Sequence, residues 1–200
     1  MAADLPTSTP LGNPSIGGRI LEAAQALLEA EGLSALTIRR LATEAGVAPM
    51  SIYHHLGSKD GVVDLLLRNA FAKLERAMRE LATTPDPVDA YREAGLRYRV
   101  LALEAPVTFG LMFSGHSLKH DLGEETMAAC LSSLDALVAI CQRLVDAGLT
   151  ESRNALDLAR TTWAAVHGAV TLEIAGFTDG ETSYQHLIDL VARGALSAAP

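Results

Sequence analysis

Aromatic side chains make up only 4% of this 200-residue chain, although 49% of it is hydrophobic. A core drawn from that composition is aliphatic, and the length suits one or two small domains. Cysteine is nearly absent, Cys130 and Cys141 being the two. Both fall in one continuous helical pattern, roughly 16 Å apart at about 1.5 Å rise per residue, whereas a disulfide needs Cα atoms within about 7 Å. Pairing within the chain is excluded. The thiols read as small buried apolar groups in a reducing compartment, with a redox sensor as the alternative.

No uninterrupted apolar run approaches the roughly 20 residues that cross a bilayer. The opening MAADLPTSTPLGNPSIGG has neither the basic region nor the apolar centre of an export signal, so a cytoplasmic protein with no membrane partner is expected. An enzyme is the competing class. Its usual marks are missing: there is no Gly-rich phosphate loop, nucleophile elbow, His-Glu-x-x-His pair or paired catalytic carboxylates, so no catalytic residue and no cofactor is assigned. His116 and His120 stand four apart in SGHSLKH, a spacing that suits a metal on a helix. Without a fixed third ligand they read as loop, and no metal site is assigned.

Positive charge is also scarce. The formal net charge is −8, divided as −1 over residues 1–80 and −7 over 81–200. Acidic bulk excludes wrapping nucleic acid over a wide surface but leaves room for a small contact from the nearly neutral N-terminal part.

What is present is helical spacing throughout, with no strand pair, repeat or low-complexity block. The pattern predicts an all-α fold of about nine helices, three short ones leading six longer ones. Residues 1–15, with Pro6, Pro10 and Pro14, read as a flexible arm. The first helix spans about 16–31 and ends at Gly32 in a left-handed cap. Thr37 caps a second with Ile38, Leu41, Ala42 and Ala45 on its apolar face, Gly46 stops it, and a third begins near Ala48 or Pro49. A fourth starts at Ser58 and buries Val63, Leu66, Leu67, Ala70, Leu74, Ala77 and Leu81. Asp86-Pro87 opens a fifth to about Glu104, and APVTFGLMFSG gives a short sixth. The seventh covers about 122–147, Thr150 caps an eighth to about Ala175, and Thr182 opens a ninth to about 197. The expected division is a helix-turn-helix domain over 16–60 and a larger domain over 61–200, joined by the fourth helix at about 59–82.

The stretch VAPMSIYHHLGSKD, residues 47–60, carries the chemistry. Ala48, Ile52 and Leu56 repeat every four residues and predict a stripe packed against the first two helices. At about 100° per residue, Met50 and His54 then point away from that stripe, while Pro49, Ser51, Tyr53 and His55 flank it. A rigidly held helix offering small, hydrogen-bonding and aromatic groups outward suits the major groove of double-stranded DNA. Tyr53 and Lys59 are placed to reach phosphate, with Thr37, Arg39 and Arg40 toward the opposite strand.

Residues 19–67 as a whole resemble the N-terminal domain of TetR/AcrR-type bacterial transcriptional repressors. The resemblance rests on an Ile-Leu-x-Ala-Ala opening, Gly32, Thr37-Ile38, Leu41-Ala42, Ala45-Gly46-Val47, Ile52-Tyr53-x-His55-Leu56 and Ser58-Lys59-Asp60. It implies Pro49, Met50, Ser51, Tyr53, His54 and His55 as the DNA-facing set, Lys59 on phosphate, and a regulator that is usually a repressor. Two positions depart from the pattern. Ala48 stands where a capping serine is common, and Gly61 replaces the Glu that would complete a capping box with Ser58, so both helix starts are expected to be weaker.

Trp163, His167 and Gly168 resemble the signature of a subgroup whose effector domain carries Trp-x-x-x-His-Gly. Ala164, Gly168 and Leu172 form a stripe of mostly small residues that lets another helix approach. With Leu187, Ile188, Val191 and Ala195 they are the candidate homodimer interface, since one short helix reads too few base pairs. Tyr98, Leu101, Phe109, Met112, Phe113, Trp163 and His167 are the candidate lining of an effector cavity, with plain core as the competing reading. The expected function is a repressor released from a palindromic operator by an apolar or amphipathic small molecule. A constitutive DNA-binding regulator is the alternative.

Overall fold

The computed structural model describes residues 15–114, 122–178 and 180–196. Among these residues there are nine α-helices and no strand. They are α1 (Ile16–Glu31), α2 (Ile38–Ala45), α3 (Pro49–Leu56), α4 (Lys59–Arg79), α5 (Pro87–Glu104), α6 (Pro106–Met112), α7 (Glu124–Asp146), α8 (Ala155–Ile174) and α9 (Glu181–Ala195). The chain divides into two compact units, residues 1–63 and 64–200, with the boundary inside α4. His116 and His120 lie outside the described residues, as does all of the expected arm except Ser15.

In the first unit the helix starts and stops are chemical. Ser15 Oγ accepts the Gly18 N–H at 3.1 Å, and α1 buries Ile20, Ala23, Ala24, Leu27 and Leu28 along one face. Gly32 then takes φ 79° and ψ 178°, a positive φ that favours glycine but an extended ψ rather than the left-handed cap expected, and a single 3-10 turn follows at Leu33–Ala35. Thr37 Oγ1 accepts the Arg40 N–H at 3.4 Å to start α2, and Gly46 stops it in the left-handed conformation. α2 packs on both α1 and α3.

The second unit is built around α5, which packs on α6, α7, α8 and α9. Asp86 accepts the Val88 N–H at 2.7 Å and Pro87 takes the first helical position, so α5 starts where Asp-Pro predicts. One apolar cluster joins Met78, Leu81, Tyr91, Ile140, Leu144 and Leu158, and a second joins Tyr98, Ala102, Phe109, Val170, Tyr184 and Ile188. The Arg143 guanidinium donates to the carbonyls of Leu81, Thr84 and Pro85, pinning the turn before α5.

Several boundaries differ from the sequence expectation. The α8 cap is Asn154, whose Oδ1 accepts from the N–H groups of Leu156 and Asp157, while Thr150 Oγ1 accepts from Ser152 in the preceding turn. An asparagine accepting two N–H groups outcompetes a threonine that a local turn already satisfies. α9 starts at Glu181 after Gly180 at φ 88°, so Thr182 is inside it. Cys141 is buried but Cys130 only half-buried, and burial pushes both thiols up, Cys141 to about 12. α7 also has the length and composition to cross a membrane, at mean hydropathy 1.5 over its most apolar window. Its Ala136, Ile140, Cys141 and Leu144 are nonetheless packed in the first cluster.

One ion pair ties three helices together. Arg99 grips Glu173 through Nε–Oε2 at 2.8 Å and Nη2–Oε1 at 2.6 Å, with side chains 16% and 11% exposed. The guanidinium lies 5.6 Å from the Tyr184 ring centre, and Tyr184 Oη donates to the Gly95 carbonyl at 2.8 Å. Removing one partner strands a largely buried charge, whereas replacing both with apolar groups removes the desolvation cost as well. Arg99→Met is expected to lower unfolding free energy by about 3 kcal/mol, and Arg99→Met with Glu173→Leu by much less, in denaturant titration. Equal losses in both would contradict this reading of the pair.

Candidate DNA interface and effector cavity

The outward face of α3 is fixed by a single deep anchor. Ile52 is fully buried, whereas Met50 is 74% and Tyr53 50% exposed. Pro49, His54 and His55 are exposed and Ser51 is half-buried, and the two histidine rings meet edge to face at 5.3 Å. The predicted stripe of Ala48, Ile52 and Leu56 is narrower than expected: Leu56 is half-buried and Ala48 is exposed. Helical spacing fails at Ala48 because Pro49 is the first helical residue, leaving Ala48 in an extended conformation with no side chain to cap the helix.

The far end of α3 is governed by two glycines. Gly57 at φ 72° turns the chain, and its N–H donates to the Tyr53 carbonyl at 2.9 Å. Ser58 Oγ accepts the Gly61 N–H at 3.3 Å, so the start of α4 is capped although the capping-box Glu is missing. That departure has a steric cause. A Cβ at Gly61 would stand 1.9 Å from the Leu56 carbonyl oxygen, a backbone atom held at the end of α3.

The cations expected on phosphate divide into engaged and outward. Lys59 Nζ donates to the Leu33 carbonyl at 2.9 Å, tying α4 to the turn after α1. An ammonium has three protons, so this bond leaves capacity for a further acceptor. Arg40 forks onto Glu31, Nη1 to Oε2 at 2.6 Å and Nη2 to Oε1, which lowers the Glu31 carboxyl and raises the guanidinium through their mutual hydrogen bonds. Arg39 and Thr37 are exposed, although Thr37 Oγ1 is already used as the α2 cap. Sequence periodicity does not reveal the Glu31–Arg40 pair, because its partners sit on different helices.

The second unit contains an apolar cavity of about 110 Å³. Tyr98, Phe113 and Trp163, expected from the sequence, line it. Phe109 and His167 belong to the adjoining ring cluster, 5.3 Å apart, and Phe113 lies 4.8 Å from His167. Leu101 and Met112 do not line the cavity: Leu101 is half-buried elsewhere, and Met112 is 9% exposed. Two whole walls were missed, Phe71, Leu74 and Met78 from α4 and Cys130, Leu134 and Leu137 from α7. Their spacing of three or four residues gave the signal, but it reads equally as core.

Behind the cavity wall runs a short hydrogen-bonded relay. Trp163 Nε1 donates to Tyr98 Oη at 3.0 Å, and Tyr98 Oη shares a hydrogen bond with His167 Nδ1 at 2.8 Å, in which the imidazole tautomer sets the donor. Burial lowers the affinity of His167 for a second proton and pushes the Tyr98 phenol well above its usual range, so the relay is neutral. Residues 163 and 167, one turn apart on α8, thus hold one tyrosine of α5, while Gly168 is exposed and outside the relay.

Of the expected interface residues, Ala164, Gly168 and Leu172 are exposed on α8, Leu172 by 48%. The row chosen on α9 turns inward instead. Ile188 is 6% exposed within the second cluster, Val191 and Ala195 pack on the first, and Leu187 is half-buried. That row is the apolar side by which α9 packs on α5 and α8, so its outward positions are His186, Leu190 and Gly194, with Leu190 59% exposed.

Comparison with known proteins adds independent findings. Residues 20–66 match the family model described as bacterial regulatory proteins, tetR family, and residues 91–191 match the tetracyclin repressor-like C-terminal domain. Neither match by itself bears out the subgroup suggested by Trp163, His167 and Gly168. The HTH-type transcriptional repressor KstR2 of Mycobacterium tuberculosis is 38% identical over 73 residues, 36% of this chain and 36% of that protein. The match therefore spans about a third of that relative's length. KstR2 of Rhodococcus jostii is 26% identical over 168 residues, 77% of this chain and 82% of the relative. Among solved structures, the TetR family regulator PfmR of Thermus thermophilus superposes with TM-score 0.69 at 25% identity, covering 88% of this chain and 98% of that one. A Rhodococcus protein of unknown function reaches TM-score 0.82 at 24% identity over 95% of this chain and 100% of its own, which speaks to the fold.

Gly61→Ala is expected to destabilise the first unit, because the atom in its way is backbone and cannot rotate aside. The ordinary helix preference for Ala over Gly, about 1 kcal/mol, is outweighed by overpacking of about 1–3 kcal/mol. A thermal melt of the variant equal to or above the parent would contradict the close approach.

Proposed function

Because the chain belongs to the TetR family of bacterial regulatory proteins, we propose that it is a ligand-responsive transcriptional repressor that binds a palindromic operator as a homodimer. The observation that carries the reading is α3: a buried Ile52 beneath outward Met50, Tyr53 and His54. Such a face fits the major groove, where the side chains meet base edges rather than only phosphates.

Pro49, Met50, Ser51, Tyr53, His54 and His55 are the base-facing set, with the Tyr53 hydroxyl and Arg39 toward phosphate. Lys59 reaches phosphate with the protons not used on Leu33. Arg40 positions α1 against α2 through Glu31 and contributes to DNA only if that pair opens. Few phosphates are neutralised, which suits a chain of net charge −8. The dimer forms through the exposed α8 row Ala164, Gly168 and Leu172, with the outward side of α9 at Leu190 in place of Ile188. Two α3 helices related by a two-fold axis then read successive major grooves about 34 Å apart.

The effector enters the cavity walled by Tyr98, Phe113 and Trp163. It releases the operator only by binding more tightly to the form that does not fit DNA. A difference of about 1–3 kcal/mol gives roughly 5- to 150-fold release. The cavity is what favours this reading over a constitutive regulator. The protein performs no catalysis, needs no cofactor and acts in the cytoplasm beside the chromosome, with no membrane partner.

Selection of duplexes from a random pool by the purified chain tests the proposal. An inverted repeat is expected to be enriched, and Tyr53→Ala is expected to weaken binding to it several-fold with an unchanged melting temperature, Tyr53 being half-exposed. A pool that stays random after repeated rounds would sink the proposal.

A further inference from the structure

The walls of the cavity narrow the effector further, on the reading that this cavity is its site. We infer that the effector binds there as a compact, uncharged hydrocarbon-like group, with any polar substituent left at the mouth beside Leu131. Three observations carry this. First, among the described residues that line the cavity none bears a charge. A buried carboxylate, phosphate or ammonium would find no counter-ion among them, and the cost of desolvating it exceeds the benefit of apolar packing.

Second, the polar side chains in the wall are already occupied by the protein. Ser133 Oγ donates to the Cys130 carbonyl at 2.7 Å, and Thr162 Oγ1 donates to the Leu158 carbonyl at 2.8 Å while sharing a hydrogen bond with Tyr91. Trp163 Nε1 is spent on Tyr98, and Tyr98 Oη is engaged by both Trp163 and His167. A ligand carbonyl pushed inward would compete with these bonds or go unpaired, and either outcome opposes binding. The Cys130 thiol, kept protonated by burial, is only a weak donor.

Third, the geometry sets size and direction. An engineered apolar cavity of about 150 Å³ stays dry and admits benzene. At about 110 Å³ this one is of that order, so one ring fits after small side-chain shifts and a long rigid skeleton does not. Leu131 lines the cavity yet is 56% exposed, so the wall reaches solvent there, on α7. Water meets the ligand at that point, and a hydroxyl or ketone is tolerated there.

The chain has one tryptophan, Trp163, and it lines the cavity, so its fluorescence reports occupancy without DNA. The full-length protein is titrated with toluene, benzyl alcohol and benzoate, which share one ring and differ in polarity and charge. Toluene is expected to shift the Trp163 emission saturably, benzyl alcohol to do so more weakly, and benzoate to need at least a tenfold higher concentration. Benzoate binding as tightly as toluene would overturn the inference, and so would an emission that none of the three moves. Repeating the toluene titration on protein bound to its selected duplex separates this inference from the regulatory reading. If Trp163 responds while the duplex stays bound, the ligand class stands and ligand-controlled release falls.

Discussion

An eight-residue helix cannot hold its own shape in water, since isolated helices below about 12–15 residues are marginal. α3 is that short, and the exposed face proposed to read DNA depends on how it is held. Its hold is one side chain and two turns. Ile52 is buried to the last atom, Gly46 turns the chain into α3, and Gly57 with Gly61 lets α4 begin almost against its last carbonyl. The apolar exposure of Met50 is the other side of this arrangement. Met50 is left 74% in water on a helix whose Ile52 is fully buried, so its thioether is free to meet a partner surface.

The second unit solves a different problem, keeping an apolar cavity next to polar side chains. Empty space in a core forfeits dispersion contacts, and an unpaired polar group beside it would add a desolvation penalty. The relay from Trp163 through Tyr98 to His167 removes that second cost by closing its hydrogen bonds within the protein. The Arg99–Glu173 pair and the Tyr184 bond to Gly95 brace the same helices on another side, so the void is framed rather than collapsed. The same features that satisfy the wall make it selective against charge.

Much of this was legible in the sequence because local rules decide it. Asp86-Pro87 opens α5, Thr37 and Gly46 bracket α2, and Pro49 starts α3, each through backbone chemistry that neighbouring residues fix. The outward placement of Met50, Tyr53 and His54 followed from helical geometry alone. What escaped was pairing between helices. Periodicity identified the apolar row of α9 but not whether it faced the protein's own core or a second copy, and Ile188 lies in the core. It marked aromatic residues near the cavity but missed the α4 and α7 walls, because an aliphatic row lining a void has the same spacing as one filling a core. Gly61 looked like a lost cap until the distance to Leu56 showed that no side chain fits.

The chain's five methionines offer the most direct test of the central claim, that the α3 face held outward by Ile52 is the surface that meets DNA. Met50 lies on that face, 74% exposed, whereas Met78, Met112 and Met127 belong to the second unit. Methyl-labelled protein titrated with its selected duplex in an NMR spectrometer would report each separately. The account predicts that the Met50 methyl signal shifts and broadens in step with binding, with a much larger change than at the other three. Tight binding of the duplex with the Met50 signal unmoved would contradict it.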